Sequence, residues 1–112
     1  MRKDDLVRIR HMLDAAREAR SFIASKSRED LDANRMLALS VLKDIEIVGE
    51  AASKVSLQTR SGTSEIPWQD IVGMRNRLIH GYFDIDLDVV WDTVSGDFPA
   101  LIEKLESIIS RE

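Results

Sequence analysis

The sequence predicts an all-α protein, and three observations carry that prediction. Apolar residues recur at intervals of three and four along most of the chain, the spacing that gathers one side of a helix. Five Gly and two Pro supply too little punctuation for the many short strands of a sandwich or barrel. Ala, Leu, Glu, Lys and Arg, the strong helix formers, are plentiful. A length of 112 residues suits one helical domain, 1–112, with one core. Apolar residues at 44% and charged residues at 32% are ordinary for a globular chain.

The first helix is expected from about Asp4 to Ala24, with Leu6, Ile9, Leu13, Ala16, Arg20 and Ile23 on one side. Ser27 to Asp32 is a polar break holding two candidate N-caps, Asp30 and Asp32. A long central helix follows to about Val55, with Leu37, Val41, Ile45, Val48, Ala52 and Val55 in one stripe. Gly49 lies inside it, where glycine costs about 1 kcal/mol relative to Ala, a cost that a close helix–helix approach would explain. Residues 56–66 have no apolar period and read as the longest loop. Pro67 suits the first turn of another helix, because its missing N–H costs nothing there. That helix carries Trp68, Ile71, Val72, Leu78 and Ile79 and should end near His80, before Gly81. Residues 82–86 connect it to a segment capped by Asp86 and carrying Val90, Trp91 and Val94. Leu101, Ile102, Leu105, Ile108 and Ile109 form the last stripe, behind Pro99. Residues 87–95 and 98–110 are either two helices or one kinked helix. The architecture is a helical bundle.

The absence of Cys excludes disulfides, thiolate metal sites and cysteine nucleophiles. No run approaches the ~18 apolar residues of a membrane span, and none resembles a signal-peptide core, so a cytoplasmic protein is expected. The net charge of −4 does not suggest a dedicated nucleic-acid binder. It is unevenly spread: residues 1–28 hold eight basic and four acidic side chains, residues 84–112 two and eight. The two segments could pair within the bundle, or the basic one could face a polyanion. Arg2, Lys3, Arg8, Arg10 and Arg17 could then steer it.

Chemistry concentrates in Arg75-Asn76-Arg77-Leu78-Ile79-His80-Gly81-Tyr82. Arg75 and Arg77 offer guanidinium forks that suit phosphate. His80 is of the residue type that takes and gives protons near neutral pH. On an unbroken helix Asn76 and Arg77 share the side of His80, whereas Arg75 points roughly 140° away. Arg75 and His80 would converge only if the helix loosens before Gly81, the arginine curls round, or a second chain completes the site. The other histidine, His11, reads as an ordinary surface or boundary residue. Trp68 and Trp91 read as core or interface anchors rather than base-stacking platforms. No cluster has the spacing of a metal site, and no cofactor is implied.

Arg75-x4-His80-x-Tyr82 resembles the R-x4-H-x-Y signature of HepT-type toxins in the HEPN superfamily. The flanks are similar too: Ile47-Val48-Gly49-Glu50-Ala51-Ala52 on the long helix, Ile66-Pro67-Trp68 before the motif, Asp86 to Trp91 after it, and Phe98-Pro99. The likeness covers nearly the whole chain in order. It implies a HEPN-type bundle of four to five helices, paired in a two-fold homodimer that brings two motifs into one cleft. The implied activity is metal-independent endoribonuclease cleavage by the toxin of a type II/VII-like toxin–antitoxin pair. RNA supplies its own nucleophile, the 2′-OH. His80 would move protons, Arg75 would hold the phosphate and its developing charge, and Asn76 would support them. The implied partner is a nucleotidyltransferase antitoxin that adenylylates the motif tyrosine, here Tyr82. Glu50 would pair with a motif arginine if their helices are neighbours, and Arg77 would stand behind the catalytic pair. The alternative is a non-catalytic subunit that binds a nucleotidyltransferase and a nucleotide.

Overall fold

The computed structural model describes residues 1–79 and 84–112. The order is α1 (Lys3–Ile23), α2 (Arg28–Ala33), α3 (Arg35–Ser53), α4 (Leu57–Gly62), α5 (Trp68–Leu78), α6 (Leu87–Asp92), a π-helical turn (Thr93–Asp97) and α7 (Phe98–Ser110). α3 lies between α1 and α5, and α7 packs on the other side of α1. Small side chains let these helices approach. Ala16 and Ala19 of α1 and Ala52 of α3 are fully buried, beside Ile9, Met12, Val41, Ile45 and Val48. A Cβ on Gly49 would stand 3.4 Å from the Ile71 carbonyl oxygen, so the interior glycine does mark a close approach, of α3 to α5.

The caps differ from expectation. Ser27, not Asp30 or Asp32, precedes α2, and its N–H donates to Asp30 Oδ2 at 2.7 Å. Asn34 caps α3 by accepting from the Leu37 N–H. The two aspartates fall inside α2 because residues 28–33 are themselves helical.

The stretch expected to be a loop contains α4. Tertiary hydrogen bonds, rather than an apolar stripe, hold it. The buried Asp5 carboxylate accepts from Ser56 N at 2.9 Å, Ser56 Oγ at 2.6 Å and Thr59 Oγ1 at 2.6 Å. Arg60 of α4 donates to the Ala52 and Ser53 carbonyls at the end of α3 and to the Val55 carbonyl just after it. Its guanidinium lies 5.9 Å from the Trp68 ring centre. Trp68 Nε1 donates to the Thr63 carbonyl, so this tryptophan is a core anchor.

α6, the π-helical turn and α7 are consecutive and form one interrupted helix. Pro99 explains the interruption. In the π register Phe98 N donates to Thr93 O, and the next donor in line, for Val94 O, would be the nitrogen of Pro99. That nitrogen has no proton. Arg20 of α1 donates to Val94 O instead, at 3.3 Å. This accounts for an arginine on the apolar stripe of α1.

The basic start and acidic end of the chain do pair. Arg17–Glu106, Arg28–Asp88 and the Met1 amine–Glu112 are ion pairs at 2.9, 2.7 and 3.3 Å. No helix among the described residues is long and apolar enough to cross a membrane.

Two buried aspartates give opposite pH dependences. Burial pushes Asp5 up, but the hydrogen bonds from Ser56 and Thr59 outweigh it and hold the carboxyl below its ordinary 3.8. Its stabilisation is present above that value and is lost as pH falls through the lowered one. Asp44 of α3 is buried near the Glu18 carboxyl of α1 and leaves Oδ2 without a partner. Burial first, then the neighbouring Glu18 carboxyl, pushes it up to about 7. Between the ordinary carboxylate value and that value the folded chain keeps a proton that the unfolded chain releases. Stability therefore falls as pH rises through this window, by at most about 1.4 kcal/mol per unit. Urea unfolding at several pH values is expected to show Asp44→Asn abolishing this slope and exceeding the parent's stability at alkaline pH. Asp5→Ala should cost about 1–3 kcal/mol at neutral pH, because it strands the Ser56 and Thr59 donors.

Candidate functional site

α5 ends at Leu78, two residues earlier than expected. Ile79 is extended (φ −122°, ψ 117°) and forms an isolated antiparallel bridge with Ile85. Asp86 N donates to Leu78 O at 2.7 Å. The helix therefore loosens before Gly81. His80 and Tyr82 themselves lie outside the described residues.

Arg75 is exposed and lines a cleft of 430 Å³ where α1, α3 and α5 converge. The close approach at Gly49 sets α5 beside α3, and Gly49 is itself part of the lining. Ile45, Ala51, Ile71, Met74 and Leu78 provide the apolar part of the cleft. Arg8 and His11 come from α1; Lys43, Glu46 and Glu50 come from α3, and Lys54 directly follows it. Four cationic side chains thus face two carboxylates, in a chain of net charge −4. Local positive potential of this kind draws anions despite the overall charge.

The other candidates separate. Glu50 shares the cleft with Arg75, as neighbouring helices require, but its ion pair is with Lys54, at 3.3 Å. Arg77 faces away from this cleft. It donates to the Asp70 carbonyl at 3.1 Å and lines a second cleft, of 310 Å³, against α7 with Phe98, Leu101 and Lys104. Asn76 is exposed on α5. Among the described residues no group of three His, Asp or Glu side chains comes together that could hold a metal ion.

His11 lies at the surface, as the sequence suggests, but its place in a cleft was not foreseen. It is exposed, and it lines the cleft that contains Arg75. Its one signal was a spacing of three from Arg8, which sets both on one side of α1. Only the packing of α3 and α5 gives that side a cleft to face.

A family model described as Ribonuclease HepT-like matches residues 12–108. The chain belongs to the HepT-like ribonuclease family. It is 32% identical over 109 residues to a protein of Methanocaldococcus jannaschii described as a gamma-glutamylcyclotransferase and putative RNase. That match covers 97% of this chain but 49% of the relative, so the chain spans about half of that protein's length. A Thermococcus cleftensis protein described as a probable ribonuclease HepT is 36% identical over 80 residues, covering 71% of this chain and 73% of its own. Another M. jannaschii protein, described as a putative RNase, is 31% identical over 97 residues, covering 87% of this chain and 89% of its own. No solved structure matches the chain.

Proposed function

We propose that this HepT-like chain is a metal-independent endoribonuclease, the cytoplasmic toxin of a type II/VII-like toxin–antitoxin pair. One observation carries the reading: in a member of a ribonuclease family, Arg75 stands exposed in a net-positive cleft formed by three helices. A guanidinium fork there suits the phosphodiester. His80 removes the proton of the 2′-OH, whose oxygen attacks phosphorus. The bond from phosphorus to the 5′-oxygen breaks, and that oxygen receives a proton from the copy of His80 in a second chain. Arg75 stabilises the charge that builds on the phosphoryl oxygens, and Asn76 supports the pair. Glu50, paired with Lys54, lines the same cleft as Arg75.

The chain acts as one domain, paired in a two-fold homodimer. The exposed apolar side chains Val7, Leu39 and Val72 support that pairing, because they lie on α1, α3 and α5, the three helices that form the cleft. The partner is a nucleotidyltransferase that adenylylates Tyr82. AMP attached there adds bulk and negative charge two residues from His80, which excludes RNA and occupies the arginine.

RNA cleavage by unmodified protein in EDTA tests the reading. The parent is expected to cleave and His80→Ala to be inactive. Arg75→Ala should lose about 10²–10³ in rate. Arg77→Ala should stay within about tenfold of the parent, because its side chain faces the other cleft. Light scattering should give twice 12.7 kDa. Absence of cleavage on several RNAs would favour the non-catalytic docking subunit instead.

A further inference from the structure

We propose that Arg8 and His11 of α1 form a second phosphate-binding station, so that a single RNA strand crosses the cleft from Arg75 to α1. This rests on the ribonuclease reading above. Six of the eleven arginines are occupied: Arg17, Arg28 and Arg111 by carboxylates, Arg20, Arg60 and Arg77 by backbone carbonyls. Arg8 and Arg75 have no such partner among the described residues, and both line the cleft, from opposite helices. Arg8 is half-buried at the wall of the cleft. His11 is one turn further along the same side of α1 and adds an imidazole donor.

The middle wall decides the direction of the strand. α3 carries Glu46, Glu50 and Lys43 between the two cationic walls, and Lys54 just after it is engaged by Glu50, so this middle wall has no net positive charge. A phosphate beside Glu46 or Glu50 meets a like charge that Lys43 and Lys54 only offset, whereas the carboxylates accept hydrogen bonds from base N–H groups. The attractive positions for consecutive phosphates are then the α5 and α1 walls, with the intervening nucleoside over the apolar floor. A volume of 430 Å³ is within the range of pockets that enclose a small ligand.

Binding of a fluorescent single-stranded RNA to His80→Ala protein, across a salt series, tests this without cleavage. Adding Arg8→Gln is expected to weaken binding severalfold and to reduce the slope of log affinity against log salt by about 0.7, one phosphate contact on a single strand. Arg8→Lys should keep the slope, and Arg10→Gln, outside the cleft, should match the parent. In the cleaving protein, His11→Ala should raise KM more than it lowers kcat, the mark of a group that holds substrate without joining the chemistry. Equal losses from Arg8→Gln and Arg10→Gln would show diffuse attraction and overturn the station. So would Arg8→Gln and His11→Ala that leave binding and KM unchanged in a protein that cleaves. Binding that depends on Arg8 in a chain that does not cleave would instead overturn the ribonuclease reading alone. Neither binding nor cleavage would overturn both.

Discussion

The close seating of α3 against both α1 and α5 is the constraint on which the rest of the bundle depends. Two devices secure it. Alanines along α1 and α3 keep the side chains between those axes short, and Gly49 lets the Ile71 carbonyl come within ordinary contact of the place a Cβ would take. Were either seam wider, the walls that present Arg8, Glu50 and Arg75 would not share one space. The glycine is a poor helix former placed where helix propensity matters less than distance.

Polar side chains do the remaining fastening, and they do it at the ends of helices. Asp5 gathers the first turn of α4, Arg60 closes the last turn of α3, and Arg20 satisfies the wide turn before α7. Asp5 serves donors that would otherwise be left without a partner, one of them the buried Thr59 hydroxyl, so it is costly to remove even though its net contribution in place is modest. Asp44 departs from this pattern. Its Oδ2 is buried and unsatisfied, and the carboxyl copes with that environment by holding its proton.

Much of the fold was legible in periodicity. The stripes of α1, α3 and α7 each describe a face that is buried or partly buried, and so does that of α5 apart from Val72, which is exposed. What periodicity could not show was structure held by long-range polar contacts. α4 has no stripe, and its anchor, Asp5, is 51 residues away from Ser56. Asp30 and Asp32 looked like caps because the composition of a short helix rich in acid resembles that of a break. The end of α5 was misplaced because Gly81 is a strong stop signal, whereas the bridge between Ile79 and Ile85 pulls the chain out of the helix earlier. Within the site, Arg75 was legible from its neighbours in sequence. That Arg77 faces elsewhere follows from two residues being about 200° of helix, a phase that runs against reading both arginines as one cluster. His11 was illegible, since the cleft it faces belongs to helices far along the chain.

The wide turn at Thr93–Asp97 makes Pro99 a reading-frame mark for the C-terminal helix. A π turn accommodates one residue more than an α turn, so the chain before it and the chain after it are offset by a single position. Sliding α7 back by one residue would rotate it by about 100° and carry Leu101, Leu105 and Ile108 off the α1 seam. An all-α frame through this stretch would set the proline ring against the Ser95 carbonyl, a clash that penalises the slipped alignment. The residue least able to take part in a helical ladder is thus the one that keeps two halves of a helix in step.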